Sequence, residues 1–342
     1  MAVRTKKLIN HPQDIQREML AGFAAAYPDV IRLTEDGLIV RRVEKEVGKV
    51  GLVIGNGTGH EPAMIGLIGP GWLDVNVPGE IFAAPGPDRI VRGIQVADRG
   101  AGVLLLVSHH EGDRINAEIA MDLCAAQGIA PVEMVLLYDD ISSAPKGSEA
   151  DRRGTSGLFF VWKMLGAYAE MGASLSECRR MAEKIRDQTR TLAVALTPGS
   201  SPINREVMFE LPDDEMEIGM GVHGEMGQGR LPFTSADATV AVMLPQILAD
   251  LPFRSGDEVL VMLNDSGSMT QMELFIAYRH IALLLSGAGI QVYKCWVGRY
   301  ATTQEMAGMA ISLCKVDEQL KSLWDAPAIG ANVRWVQPWV CD

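Results

Sequence analysis

Short apolar runs alternate with helix-like segments along the first half of the chain. Residues 50–54 and 102–107 contain only apolar residues and glycine, and residues 132–138 are apolar apart from Glu133, which predicts buried strands. Residues 89–98 and 115–127 have the spacing of helices and lie between those runs. Alternation of strand, helix and strand is typical of a parallel α/β sheet.

The second half repeats this pattern after a turn-rich stretch at residues 198–202. Its predicted strands span residues 217–222, 258–263 and 291–296, and its predicted helices span residues 236–250, 271–286 and 306–313. We therefore predict two α/β domains with mainly parallel sheets, the first over residues 1–195 and the second over residues 196–342.

Glycine-rich loops follow several predicted strands, where open α/β sheets bind their ligands. The loop at residues 55–60 has the spacing Gly55-x-Gly57-x-Gly59, which is neither a dinucleotide fingerprint nor a Walker motif. Its glycines favour backbone amides that bind an oxygen-rich ligand. A tight turn from strand to helix explains the same pattern equally well.

His223 lies in the segment Gly221-Val222-His223-Gly224-Glu225, after a predicted strand. Glycine removes side-chain bulk and lets a ligand approach the imidazole closely. We therefore expect Nε2 or Nδ1 of His223 to act as a nucleophile toward a carbonyl carbon. The alternative is a core histidine with both ring nitrogens hydrogen-bonded, and Glu225 suits a structural role as well as a catalytic one.

Two more residues on these loops suit binding or acid–base roles. His60 could orient a substrate oxygen, although a lone histidine at such a position is more often a helix-entry or a surface residue. Asp113 could be a general base if it faces a ligand hydroxyl, whereas the pattern alone favours a cap for the helix that follows.

Several chemistries lack their motifs in this sequence. The cysteines and histidines have no zinc-ligand spacing, no Gly-x-Ser-x-Gly elbow indicates a hydrolase, and no Walker or protein-kinase motif provides a phosphoryl-transfer site. The imperfect glycine loop at residues 55–60 is the single feature that supports an NAD-linked oxidoreductase.

The amino-acid composition limits the partners and the cellular location that we expect. At 342 residues and 48% hydrophobic content the chain can bury a large core. The net charge of −12 and the pI near 5.0 argue against nucleic acid or an anionic membrane as partner. Five dispersed cysteines indicate reduced thiols. We see no signal peptide and no apolar run near the ~18 residues of a membrane span, so we expect a cytoplasmic protein.

An ordered set of motifs covers nearly the whole chain. The set comprises Gly57-Thr58-Gly59-His60-Glu61-Pro62, Gly79-Glu80-Ile81-Phe82-Ala83-Ala84-Pro85 with Pro87-Asp88, Glu111-Gly112-Asp113, Arg152-Arg153-Gly154, Gly221-Val222-His223-Gly224-Glu225 and Thr303-x-Glu305-Met306-Ala307-Gly308. Each motif is weak alone, but the set in this order is specific. The chain resembles the substrate-binding subunit, or first domain, of dihydroxyacetone kinases.

The resemblance implies a homodimer of subunits with two α/β domains. It implies that His223 holds a short ketose as a covalent hemiaminal, that Asp113 accepts the proton of the terminal hydroxyl that attacks phosphorus, and that His60 hydrogen-bonds and polarises the substrate. It also implies a substrate-binding set made of Gly57, Thr58, Gly59, Ser108 and Ala84. Because only a carbonyl compound forms this adduct, a ketose is selected over glycerol.

In the family that the chain resembles, the phosphate comes from elsewhere, either from a separate all-helical subunit or from a fused second domain. The resemblance implies no cofactor bound by this chain. A helical partner subunit carries ADP or ATP with magnesium, and in one branch the phosphotransferase system rephosphorylates that ADP. The chain should then be inactive alone. A non-catalytic ketose-binding sensor or coactivator is the alternative; we favour the enzyme because both His223 and Asp113 are present.

Four residues differ from those of the dihydroxyacetone-specific members of that family. Ser108 stands in place of a lysine, Thr58 in place of a serine, and Ala83-Ala84 in place of a Thr-Ser pair. The loss of a long cation and of hydroxyls leaves a roomier and more neutral pocket. We therefore expect a tetrulose such as erythrulose, or a larger ketose, to fit better than dihydroxyacetone.

Overall fold

The computed structural model describes residues 5–129 and 131–335; Cys341 and the first four residues of the basic N-terminus lie outside the described residues. The chain forms two compact units. The His223 unit comprises Met1–Gln13, Tyr138–Leu158 and Asp187–Asp317, and the Asp113 unit comprises Asp14–Leu137, Phe159–Arg186 and Glu318–Asp342. Each unit is thus assembled from three separate segments of the chain.

Eight α-helices and fourteen strands are present within the described residues. The helices are α1 Ile15–Ala26, α2 Pro87–Ala97, α3 Glu111–Gln127, α4 Leu158–Glu170, α5 Leu175–Asp187, α6 Ala236–Asp250, α7 Gln271–Gly287 and α8 Glu318–Asp325. The strands are β1 Ile31–Leu33, β2 Ile39–Arg41, β3 Gly51–Thr58, β4 Val75–Ile81, β5 Val103–Ser108, β6 Val132–Leu137, β7 Thr189–Thr197, β8 Glu215–Ile218, β9 Gly229–Pro232, β10 Glu258–Asp265, β11 Gln291–Gly298, β12 Ala307–Val316, β13 Ala328–Ile329 and β14 Arg334–Trp335. The predicted division between residues 195 and 196 falls inside β7.

The Asp113 unit is built on a six-stranded sheet in the order β1-β2-β4-β3-β5-β6. The pairs β4–β3, β3–β5 and β5–β6 are parallel, whereas β1 and β2 pair antiparallel. Helices α2 and α3 cover one face of this sheet, where Val53 and Leu105 pack in one cluster with Ile94 and Ala120. This is the α/β arrangement that the alternating sequence pattern predicts.

The His223 unit is built on a second six-stranded sheet, in the order β11-β10-β12-β7-β8-β9. Its core lies between the sheet and helices α6 and α7, with members such as Val261, Ile311, Met243 and Ile281. The predicted α/β fold class is confirmed, but the prediction of a mainly parallel sheet is wrong for this unit. Among its described strands, β10 and β11 form the single parallel pair.

The antiparallel order follows from the connections between strands. Parallel neighbours need a crossover of a dozen or more residues, usually a helix. Residues 198–214, 219–228 and 299–306 join successive strands of this sheet without an α-helix. These links return the chain to the sheet antiparallel to one of its neighbours.

Strand β12 replaces the helix that we predicted at residues 306–313. It lies between β10 and β7 and is buried along most of its length. A strand that is covered on both faces is a continuous apolar run, and such a run has no periodicity that separates it from a buried helix. Over residues 5–129 and 131–335, no helix combines the length and the apolar character needed to cross a membrane.

Candidate functional site

His223 lies on a tight turn in the connection between β8 and β9. The Gly221 amide donates to the Glu225 carbonyl at 2.9 Å, and the Gly224 amide donates to the Gly221 carbonyl at 3.1 Å. We predicted a strand that reaches Val222, but β8 ends at Ile218. The histidine is therefore carried by a hydrogen-bonded turn rather than by the end of a strand.

Glu225 makes two contacts with His223 through its two carboxylate oxygens. Oε2 accepts a hydrogen bond from the backbone amide of His223 at 2.8 Å, and Oε1 lies 3.0 Å from Nδ1 of the ring. A carboxylate can only accept, so Nδ1 carries the proton in this contact and Nε2 of the neutral ring carries the lone pair. The His223 side chain is 26% exposed, which separates it from a core histidine.

The glycines of this turn face protein atoms. A Cβ on Gly221 would lie 2.2 Å from Oε2 of Glu225 and 2.6 Å from Nη1 of Arg153. A Cβ on Gly224 would lie 3.1 Å from the Phe209 ring. Side chains of the same unit occupy the space where the Cβ atoms of Gly221 and Gly224 would lie. The interpretation that these glycines leave that space for a ligand is therefore wrong.

Two side chains anchor the turn to the rest of its unit. The Thr303 hydroxyl donates to the Val222 carbonyl at 2.7 Å. Nη2 of Arg153 donates to the Gly219 carbonyl at 3.2 Å and to Oδ2 of Asp140 at 2.8 Å. The turn is held from both sides by hydrogen bonds, and neither bond uses the His223 side chain.

Asp139 fixes the segment that carries Arg153. Its carboxylate accepts from the Thr155 hydroxyl and from the Gly157 amide, both at 2.8 Å, and also from the Thr155 amide. Burial raises the pKa of Asp139 to about 6, although these hydrogen bonds oppose that shift. The position of Arg153 thus depends on a buried acid.

The glycine loop of the Asp113 unit is closely packed. Gly57 is the penultimate residue of β3, and a Cβ there would lie 2.7 Å from the Ala83 amide nitrogen. Gly59 has φ of +108°, and a Cβ there would lie 2.6 Å from the Phe82 ring. The Thr58 hydroxyl donates to the Gly79 carbonyl at 3.1 Å. Glycine is needed here because residues 82–83 lie against the strand end.

His60 follows this loop and is buried. Its ring packs against Phe82 with the ring centroids 5.0 Å apart. The Gly59 amide, which we expected to bind an oxygen-rich ligand, donates to Oε1 of Glu61 at 2.9 Å. Burial raises the pKa of Glu61. The alternative of a surface histidine is excluded by the 8% exposure of His60.

Asp113 lies in the first turn of α3, half-buried. The residue that precedes this helix is His110, so Asp113 is not its N-cap. A Cβ on Gly112 would lie 3.5 Å from Cβ of Ala84, and Nδ2 of Asn116 donates to the Pro85 carbonyl at 3.0 Å. The start of α3 is therefore packed against the segment that contains Ala84.

Ser108 is the last residue of β5. It is buried, and its hydroxyl has no hydrogen-bond partner within residues 5–129 and 131–335. A buried hydroxyl without a partner is costly. Such an atom is a candidate for contact with a polar ligand.

The predicted site residues are divided between the two units. Seven of the eight belong to the Asp113 unit, and His223 belongs to the other. Within the Asp113 unit the structure brings residues 57–59 against residues 82–83, and Gly112 against Ala84. Sequence reasoning missed the bond of Glu225 to the His223 ring and the contribution of Arg153. The close sequence spacing of His223 and Glu225 was a usable signal for the first, whereas Arg153 was indicated only by the family resemblance.

Comparisons with known proteins extend over almost the whole chain. The Dak1 domain matches residues 21–331. The dihydroxyacetone-binding subunit DhaK of the PTS-dependent dihydroxyacetone kinase 1 of Listeria innocua is 39% identical over 314 residues, which covers 92% of this chain and 95% of that subunit. The L-erythrulose kinase of Pectobacterium atrosepticum is 36% identical over 325 residues, which covers 94% of this chain and 55% of that kinase.

A solved structure agrees with these matches. The dihydroxyacetone kinase operon co-activator Dha-DhaQ superimposes with a TM-score of 0.87 at 30% identity, and the match covers 93% of this chain and 98% of that one. Both the sequence and the fold therefore lead to one group of proteins. This chain belongs to the dihydroxyacetone kinase family, through a Dak1 domain at residues 21–331.

Proposed function

We propose that this chain binds a short-chain ketose as a hemiaminal on His223 and presents its terminal hydroxyl for phosphorylation by a nucleotide-bearing partner subunit. The observation that carries the proposal is the contact of Nδ1 with Glu225, which makes Nε2 the electron-pair donor of a partly exposed ring. Similarity to a dihydroxyacetone-binding subunit and to an L-erythrulose kinase supports dihydroxyacetone or a tetrulose as the ketose.

The adduct forms by addition to the carbonyl group. Nε2 of His223 bonds to the carbonyl carbon, and the π electron pair moves to the carbonyl oxygen, which takes up a proton. Nδ1 releases one proton and the carbonyl oxygen takes one up, so the proton count does not change and the neutral adduct weighs as much as the protein plus one whole ketose. Glycerol has no electrophilic carbon, and the reaction therefore selects the ketose over the corresponding alcohol.

The family resemblance assigns the remaining groups of the proposed reaction. Asp113 accepts the proton of the terminal hydroxyl as that oxygen attacks phosphorus. His60 hydrogen-bonds the substrate and helps to polarise it. Contacts to the ketose come from Gly57, Thr58, Gly59, Ser108 and Ala84. The unsatisfied Ser108 hydroxyl suits an additional substrate hydroxyl, which favours a tetrulose.

The phosphate donor belongs to the partner in this proposal. A helical subunit carries ADP or ATP with magnesium, and this chain binds no nucleotide. The PTS-dependent name of the Listeria relative supports rephosphorylation of ADP through the phosphotransferase system. Direct use of ATP is the other route. A homodimer also stays a prediction, based on the family resemblance.

A non-catalytic ketose-binding coactivator is a second candidate. The fold matches the operon co-activator Dha-DhaQ at 30% identity over 93% of the chain, which favours this possibility. The two candidates differ in the step after ketose binding. The kinase subunit yields a ketose phosphate when its partner and nucleotide are supplied, and the coactivator yields none.

Intact-protein mass spectrometry under mild conditions tests the proposal. Wild type and His223→Ala are incubated with dihydroxyacetone, with each erythrulose enantiomer and with glycerol. We expect a mass gain equal to one whole ketose in the wild type, and no gain in the variant or with glycerol. The absence of any gain in the wild type with all three ketoses would contradict the proposal.

Asp113→Asn separates binding from transfer. We expect this variant to form the adduct at the wild-type level and to lose phosphoryl transfer by about 100-fold or more, because the base is removed and the nucleophile is retained. The measurement is ketose phosphate formed with the cognate partner. Transfer at the wild-type rate would disprove the role of Asp113 as base.

A further inference from the structure

We infer that Glu225 is the positioning residue of His223: its carboxylate selects the ring tautomer that is protonated at Nδ1 and so makes Nε2 the nucleophile. This inference rests on the proposed hemiaminal function and deepens it. It assigns a role to a side chain that the sequence pattern left equally open to structure and catalysis.

The two oxygens of Glu225 face two different donors of one residue. The backbone N–H of His223 can only donate, so it requires an acceptor, and Oε2 fills that place at 2.8 Å. With Oε2 fixed, Oε1 is presented to Nδ1 at 3.0 Å. The backbone contact thus determines which carboxylate oxygen meets the ring, and an anionic oxygen accepts only a protonated Nδ1.

The turn is built around this carboxylate. The Gly221 amide donates to the carbonyl of Glu225 itself at 2.9 Å, so a backbone hydrogen bond joins residues 221 and 225. Any side chain on Gly221 would enter the space of Oε2. Nη1 of Arg153 approaches the same point, which places a positive charge beside the carboxylate.

A purely structural Glu225 would only close the turn, and Glu225→Gln distinguishes the two roles. Glutamine keeps the size of the side chain but has one oxygen and one NH2 group. The His223 amide claims the oxygen because it can only donate. The NH2 group then faces Nδ1 and donates to it, so the ring takes the tautomer that is protonated at Nε2 and loses the nucleophilic lone pair. In serine proteases the equivalent exchange of Asp for Asn keeps the geometry and costs about 10⁴-fold in rate through the wrong tautomer.

The test uses the full chain with ¹⁵N-labelled histidine and dihydroxyacetone as the probe. NMR reports which ring nitrogen of His223 is protonated, and the His223→Ala spectrum identifies its signals. We expect the wild type to carry the proton at Nδ1 and Glu225→Gln to carry it at Nε2, with adduct formation slowed by at least about 100-fold. Glu217→Gln is the matched control: Glu217 lies at the end of β8, accepts from the Gly227 amide at 3.1 Å and lies 3.5 Å from Nε of Arg230, and neither of these partners is the His223 ring. This control should keep the wild-type tautomer.

Glu225→Ala is a second variant, and the order of its adduct rate relative to Glu225→Gln tests the inference independently of the NMR result. Without the Glu225 carboxylate at Nδ1 that contact no longer selects one tautomer, so adduct formation should be slower than in the wild type and faster than in Glu225→Gln. A structural role predicts the opposite order, with alanine the more damaging. Wild-type tautomer and rate in Glu225→Gln would overturn the inference while the proposed function stands. A wild type that forms no adduct would overturn the proposed function, and the tautomer measurement would still report on Glu225.

Discussion

The two histidines of the proposed reaction are held in different ways. His60 is buried against Phe82, beside glycines whose Cβ positions are filled by neighbouring atoms. His223 is partly exposed on a turn that hydrogen bonds from Thr303 and to Glu225 hold in place. Packing fixes where a ring lies, whereas a hydrogen bond to the ring also fixes where its proton lies. We therefore expect damage around His60 to appear as lost stability, and damage around His223 as lost chemistry.

The largest effect that we expect is a pH dependence of the unfolding free energy, caused by Asp139 in the His223 unit. Its pKa is about 6 in the folded protein, above the ordinary value of 3.8. Between these values the folded state binds more protons than the unfolded state, so the free energy of unfolding falls as the pH rises. At 1.36 kcal/mol per pKa unit the loss is about 3 kcal/mol, complete just above pH 6.

Denaturant unfolding of wild type and Asp139→Asn at pH 4 and pH 7 measures this effect. Asparagine does not titrate, so the wild type should lose about 2 kcal/mol relative to the variant between the two pH values; the rest of the full change lies below pH 4. The difference between the two proteins isolates Asp139 from other buried acids, such as Glu61. A difference that does not change with pH would show that folding leaves the pKa of Asp139 unchanged.

Gly57→Ala tests the close packing of the glycine loop beside His60. The new methyl group would lie 2.7 Å from the Ala83 nitrogen and 3.0 Å from the Phe82 carbonyl carbon, and both are backbone atoms that cannot swing away. We expect a loss of about 2 kcal/mol in unfolding free energy. Gly22→Ala is the matched control: it lies in α1 with no described atom within 4 Å of the new methyl group, and it should stabilise by about 0.5–1 kcal/mol. Equal stabilities for the two variants would contradict the packing argument.

Thr303→Val removes one hydrogen bond from the His223 turn and keeps the shape of the side chain. The Val222 carbonyl loses its 2.7 Å bond to the Thr303 hydroxyl, and Thr303 is buried. We expect a loss of about 1 kcal/mol in unfolding free energy, together with slower adduct formation. Unchanged adduct kinetics would show that the other contacts hold the turn without Thr303.

The elements that the sequence predicted well are those with local signals. Helix α6 has the predicted bounds of 236–250, because its amphipathic spacing has an N-cap serine directly before it. Strand β12 was predicted as a helix because burial on both faces removes its periodicity. The assembly of each unit from three segments depends on contacts between distant parts of the chain, and local patterning does not contain that information.

In the candidate site, too, the sequence indicates local features but not contacts between distant residues. His223 stands out in the sequence because glycines flank it, and the turn in the structure explains those glycines. Their purpose was misread, since Gly221 makes room for Glu225 and Arg153 rather than for a ligand. Arg153 reaches the turn from a segment about seventy residues earlier in the chain, a contact that residue types and spacing alone do not predict.

Gly221→Ala should have the smallest effect on stability, and it tests the comparison most directly. The backbone of Gly221 does not have a positive φ, and the atoms that a methyl group would meet are the ends of the flexible Glu225 and Arg153 side chains. These ends can move, so we expect a loss of less than about 1 kcal/mol in unfolding free energy. The movement takes Oε2 of Glu225 away from the His223 amide and frees the ring from its fixed tautomer. Adduct formation should therefore fall by about 10-fold or more in a protein that unfolds almost like the wild type, measured by mass spectrometry beside Gly57→Ala. If Gly221→Ala instead loses stability and forms the adduct at the wild-type rate, packing holds the His223 turn as it holds His60. The contrast between the surroundings of the two histidines is then lost.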